Sequence, residues 1–198
     1  MWLGRWKNGR MLGSIQKNER ERMRKLLANE IEVKVKKVTS RGALLLLYKT
    51  ARVDMQILDE TYGTEHWQCD YKTINNVLYC GIGVFVGGQW VWKWDCGIES
   101  RADGEGNEKK GESSDAFKRA GFKWGIGREL YTAPFIFASV PTKQALNGKY
   151  ELGIPFARFN VDSIEYDTAG NISRLTINDD KGYEVFSFGR PARKGVAK

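Results

Sequence analysis

Apolar and polar residues alternate with a period of two from Trp67 to Ile98, the repeat of a half-buried strand. Asn75-Asn76 and Gly87-Gly88 interrupt that run, and both dipeptides suit tight hairpins. The pattern therefore predicts three antiparallel strands, over residues 67–74, 77–86 and 89–98. On the third, Trp90, Trp92 and Trp94 share one face, with Val91, Lys93 and Asp95 on the other. The tryptophan stripe is assigned to the sheet core beneath the helix that follows, because adjacent exposed indoles invite aggregation. Its alternative use is base stacking. Lys93 is then expected on the opposite, more open face.

Beyond the sheet the period changes. Ala116, Phe117, Ala120 and Trp124 recur at spacings of one, three and four, which predicts a helix with one apolar stripe. Ser113 or Ser114 would cap its start, Glu112 and Asp115 suit the dipole there, and Gly125 with Gly127 would close it. Lys118, Arg119 and Lys123 fall on the other side, the last two stacked four residues apart. The plainer reading of that side is a solvated face with Asp115 and Arg119 as an i,i+4 pair. Ala120 and Gly121 are small enough to admit another backbone. Residues 101–110 are glycine-rich and charged and read as a mobile loop, with Lys109 and Lys110 extending the positive end of the helix.

An earlier helix is predicted from Ala51 to about Thr61, with Thr50 as its cap, Val53, Ile57 and Leu58 inward, and Gly63 at its end. Arg52 opposes the dipole in the first turn, a hint of another role against the simpler reading of an exposed arginine. Residues 44–47 are a buried strand or a helical turn. Residues 31–36 alternate like a strand, or continue a short charged helix over 19–27. Residues 128–130 form a turn stopped by Pro134, and 141–155 are irregular. Strands over 156–166, 172–178 and 183–188 form a meander, and 190–198 are a loose basic tail. The fold class is α+β: an antiparallel β-β-β-α core with a preceding helix and a C-terminal β meander. The expected division is a basic arm over 1–40, the core over 41–135 and a β-rich extension over 136–198.

With 41% hydrophobic residues the 198-residue chain has enough apolar content to fill a core. A formal charge of +8 and a pI near 9.4 point to a polyanionic partner, nucleic acid or an acidic membrane surface. No apolar run approaches the roughly eighteen residues of a membrane span, and residues 1–10 lack a signal core, so a cytoplasmic protein is expected. Cys69, Cys80 and Cys96 are widely spaced and odd in number, and read as buried free thiols. His66 is the only histidine and lies in a turn, which leaves metal or histidine-based chemistry with little support. No Walker A, dinucleotide or nucleophile-elbow pattern is present, and no cofactor is expected. Asp95, Glu99 and Asp103 are the carboxylates a magnesium-dependent nuclease would have to use.

Leu58-Asp59-Glu60-Thr61-Tyr62-Gly63 with Trp67, the strand segment Trp92-Lys93-Trp94-Asp95-Cys96-Gly97, and Ser114-Asp115-Ala116-Phe117-Lys118-Arg119-Ala120 with Trp124-Gly125-Ile126-Gly127 occur in that order. Together they resemble the Rad-fifty-two-like single-strand annealing proteins, most closely the phage and prophage Sak branch, over residues 52–130. The resemblance implies an ATP-independent, non-enzymatic protein of DNA recombination and repair in a bacterial host cytoplasm, phage- or prophage-encoded. It implies a homo-oligomeric ring or helical filament that holds single-stranded DNA in a basic groove with the bases exposed. A phage exonuclease or a host single-strand-binding protein would be a further partner. Lys118 and Arg119 match the family's paired helix cations, Arg52 stands near its basic residue on the preceding helix, and Lys110 falls in the charged lead-in. Phe122 stands where a further arginine is found in eukaryotic members, with Lys123 beside it. The expected DNA-binding set is Lys118, Arg119, Lys123, Lys110, Lys109, Arg52, Lys93 and Arg128. The alternative is a single-strand nucleic-acid coat protein that binds without annealing.

Overall fold

The computed structural model describes residues 23–98, 108–154 and 157–189. The alternating segment forms three strands, β3 (Trp67–Ile74), β4 (Val77–Val86) and β5 (Gln89–Cys96), paired antiparallel in the order β3-β4-β5. Asn75 and Asn76 both take positive φ, 51° and 62°, as do Gly87 and Gly88, 61° and 83°. These are the left-handed values a two-residue hairpin loop needs to follow the strand twist.

Helix α1 (Ala51–Tyr62) precedes this sheet and α2 (Glu108–Trp124) follows it, packing on β4 and β5 and against α1. Thr50 occupies the cap position of α1 and Gly63 ends it at φ 85°, while Ile57 and Leu58 are fully buried. α2 begins earlier than the serines suggest, so Ser113 and Ser114 lie inside it and residues 108–110 are helical. The Ser113 hydroxyl donates to the Lys110 carbonyl at 3.1 Å, the back-bonding of a serine within a helix.

A second, larger sheet gathers strands from both ends of the chain. It contains β1 (Glu32–Thr39), β2 (Gly42–Tyr48), β6 (Ile136–Ala138), β9 (Phe159–Tyr166), β10 (Ile172–Asp179) and β11 (Glu184–Phe188), in the order β11-β10-β9-β1-β2-β6. A small hairpin of β7 (Thr142–Gln144) and β8 (Tyr150–Leu152) stands within the stretch expected to be irregular. The C-terminal meander forms as predicted, through β9, β10 and β11.

The division into arm, core and extension is corrected here. β1 sits between β9 and β2, and β6 pairs with β2, so strands from all three expected segments share one sheet. Leu26 and Ile31 are buried in the same hydrophobic cluster as Phe117 and Leu175. Lys34, Lys36 and Lys37, the basic residues of β1, lie exposed along it. Their charge reports a wet face and not a detached segment. Residues 23–27 are not helical. The rest of the expected helix over 19–27, most of the 101–110 loop and the 190–198 tail lie outside the described residues.

The tryptophan stripe is the second correction. Trp92 pairs with Gly83 and Trp94 with Gly81, whereas Lys93 pairs with Ile82 and Asp95 with Cys80. The face bearing Cys80, Ile82 and Val84 is buried together with Ala116, Phe117 and Ala120 of α2. Strand alternation then puts Trp90, Trp92 and Trp94 on the opposite, uncovered side of the sheet. There the indoles of Trp92 and Trp94 stack on each other at 5.7 Å and lie over the two glycines, whose missing side chains make the room. A Cβ on Gly83 would stand 2.7 Å from the Trp92 ring. Gly83→Ala is expected to lift that indole, destabilising the fold by about 1–3 kcal/mol with red-shifted tryptophan emission. Thermal melts and fluorescence check this, and an unshifted spectrum at wild-type stability would refute the packing. Of the cysteines, Cys80 is buried, Cys96 is half-buried and Cys69 is exposed, so the expectation of three buried thiols holds fully for Cys80 alone.

Candidate nucleic-acid interface

α2 has two working sides. Its stripe of Ala116, Phe117 and Ala120 is buried on the sheet, and the Trp124 indole donates to the Ile82 carbonyl at 2.9 Å, locking the last turn down. The remaining side borders an open trough of about 680 Å³. Lys118, Arg119, Phe122 and Lys123 form one wall, while β2 residues 44–48 and the segment 130–136 form the other. Three of the eight expected DNA-binding residues are thus brought together on one helix, at positions one and four apart.

Their charges are held differently. Lys118 is half-buried and makes no ion pair among the described residues. Arg119 and Lys123 both reach Asp95 on β5, at 3.3 Å and 3.5 Å. Lys123 also donates to the Trp94 carbonyl. The expected pair of Asp115 with Arg119 gives way to these contacts. Asp115 instead accepts the N–H of Ile98 at 3.2 Å, just past the end of β5. Arg119 is 43% exposed, so its pair with Asp95 is worth at most about 1 kcal/mol and leaves most of its five donors free. Asp95 positions the two cations along the trough without silencing them. As a ligand for magnesium it is poorly placed, because both its oxygens already face cations; Glu99 and Asp103 lie outside the described residues.

The other expected residues stand elsewhere. Lys109 and Lys110 are exposed on the first turn of α2, about 12 Å along the axis from Lys118. Arg52 is exposed on α1 and does not line the trough. Lys93 is corrected from the open face to the helix side of β5. Its ammonium donates to the Lys123 carbonyl at 3.1 Å and sits 4.1 Å from the Trp124 ring centre, where burial lowers its pKa. Arg128 caps α2: it donates to the Phe122 and Lys123 carbonyls, each at 2.8 Å, and lies over the Phe122 ring. Carbonyls at a helix end have no partner in the helix, so this role accounts for the arginine without a ligand.

Beneath the trough lies a feature the sequence reading missed. Lys49 contacts both oxygens of Asp54, at 2.5 Å and 2.6 Å, with Asp54 fully buried and the lysine nearly so. Burial pushes the Asp54 carboxyl up to about 6 against the pull of Lys49, and burial likewise lowers the lysine. Gly121 makes this possible, since a Cβ there would run into Asp54. A signal was present: Asp54 falls three and four residues before Ile57 and Leu58, on the inward stripe of α1. Glu129 is a second buried carboxylate. It accepts the Leu26 N–H at 2.8 Å and lies 3.5 Å from Lys25, tying the segment before β1 to the far wall of the trough. Aromatic rings on that wall, Tyr131 and Phe135, were also missed, because neither belongs to a periodic run.

Among the described residues no helix is long and apolar enough to cross a membrane. No protein-family model matches this chain, and no curated protein matches it.

Proposed function

We propose that this chain binds single-stranded DNA along the α2 trough and promotes annealing of complementary strands without ATP, working as a homo-oligomer. The observation that carries the reading is the cluster of Lys118, Arg119 and Lys123 on the wall of an open trough, with Lys118 unpaired among the described residues. Phosphate neutralisation is sequence-independent and leaves base edges free, which is what pairing of a second strand requires. The resemblance to the annealing family supports the same reading. An oligomer would multiply modest contacts per protomer through effective concentration.

The test is a strand-pairing assay with two complementary labelled oligonucleotides, free of nucleotide and divalent metal. Faster pairing than in buffer alone is the expected outcome. Binding with slowed pairing would replace annealing by the coat-protein reading, which the uncovered stripe of Trp90, Trp92 and Trp94 favours as a stacking surface. Absence of binding would remove both.

A further inference from the structure

The trough has a second wall, of different chemistry from the first. Tyr131 and Phe135 border it with 80% and 75% of their surface open to solvent, although both are large rings beside a well-filled core. Tyr131 lies in the 3₁₀ turn Arg128–Thr132, whose start is fixed by Gly127 in the left-handed region at φ 73°. Phe135 immediately precedes β6, whose Ile136 points into the core. Neither ring drifts freely. Tyr131 lies 4.8 Å from Phe122, centre to centre, and Phe135 is parallel to Phe137 at 6.5 Å and 3°. Phe122 is the hinge between the walls, one helical turn beyond Lys118 and Arg119 and itself bordering the trough.

From this geometry we infer that Tyr131 and Phe135, backed by Phe122, form a seat for an unpaired nucleobase of the strand whose phosphates lie on Lys118 and Arg119. The inference deepens the single-strand reading and rests on it. Exposed aromatic rings are unfavourable in water unless a flat apolar partner covers them, and a base supplies such a face whatever its identity. The cations opposite neutralise the backbone that carries the base. A duplex keeps its bases stacked on each other and cannot fill the seat, so the seat selects single strands. A seated base is withheld from pairing until a complementary strand draws it out, while the bases on either side stay available.

The experiment compares a short oligothymidylate with a strand of equal length in which every base is replaced by an abasic tetrahydrofuran unit. The full-length wild-type protein should bind the base-bearing strand about 5- to 100-fold more tightly, the range expected for one stacked base. Tyr131→Ala with Phe135→Ala should bring that ratio close to one and leave affinity for the abasic strand unchanged. Tyr131→Trp should preserve the ratio, which a purely structural role for the ring would not require. Both rings are solvent-exposed, so a circular-dichroism melt should show the variants folded. Equal wild-type affinity for the two strands, or a double variant that keeps the wild-type ratio, would overturn the seat while leaving backbone binding intact. Failure of the wild-type protein to bind either strand would overturn the seat together with the single-strand reading beneath it.

Discussion

Asp54→Ala is expected to destabilise the fold by about 3–5 kcal/mol, the loss typical of breaking a buried ion pair from one side. Among the described residues the Lys49 ammonium has one partner within ion-pair distance, Asp54, and its side chain is nearly buried, against Gly127 and that carboxylate. Removing the carboxylate strands the charge, because both oxygens that the ammonium contacts, at 2.5 Å and 2.6 Å, are lost together. Two controls separate this cause from a simple cavity. Lys49→Met combined with Asp54→Ala should be less destabilising than Asp54→Ala alone, since the orphaned charge is then gone.

The pH dependence gives the second control. Asp54 titrates near 6 in the fold against an ordinary value of 3.8, so the folded protein binds its proton more tightly than the unfolded chain does. Its contribution to stability therefore rises as pH falls through 6 toward 3.8, because the neutral carboxyl sheds its desolvation cost while its carbonyl oxygen still accepts from Lys49, and the alanine variant offers neither. The difference between wild type and variant should widen on acidification over that window. Urea melts across the range measure it, and a difference that shrinks with falling pH would contradict the assignment.

Lys118→Ala with Arg119→Ala is expected to weaken single-stranded DNA binding by at least about tenfold, equally for all base sequences. Phosphate contacts carry no sequence information, so uniform weakening is their signature. If a protomer covers about four phosphates, the wild-type log–log salt slope should be near −2.8 per protomer. Loss of two cations should make it shallower by about 1.4. The fold should hold, because the pair Arg119 forms with Asp95 is exposed and Lys118 has no ion-pair partner among the described residues. Fluorescence anisotropy titrations at several salt concentrations, with gel filtration to confirm an unchanged assembly size, decide the matter. An unchanged slope would take α2 out of the interface.

Lys118, Arg119 and Lys123 were legible because an apolar stripe at helical spacing fixes which residues lie opposite it, and the helix forms with that stripe buried. The contacts of Arg128 and Lys93 were not legible, for a shared reason. A cation's sequence position does not reveal which carbonyl or ring will take it, and both turned out to brace the C-terminal end of α2. Arg119 shows the same limit from the other side: its local partner Asp115 was outcompeted by Asp95, twenty-four residues back along the chain.

What the sequence determined by itself is local. Asn75-Asn76 and Gly87-Gly88 specify the two hairpins, and the spacing of Ala116, Phe117 and Ala120 specifies a helix, because each depends on backbone geometry within a few residues. Alternation along β5 likewise separates the tryptophans from Lys93 and Asp95, but it is symmetric and says nothing of which side a helix will cover. That choice required β4, where Cys80, Ile82 and Val84 supply an apolar face for α2 and Gly81 and Gly83 leave room for indoles on the other. The same holds for β1, drawn into the middle of a sheet by β9 from the far end of the chain, and for the Lys49–Asp54 pair closed over Gly121. Only tertiary contact decides these, since burial and ion pairing depend on groups that meet in space after the local elements have formed.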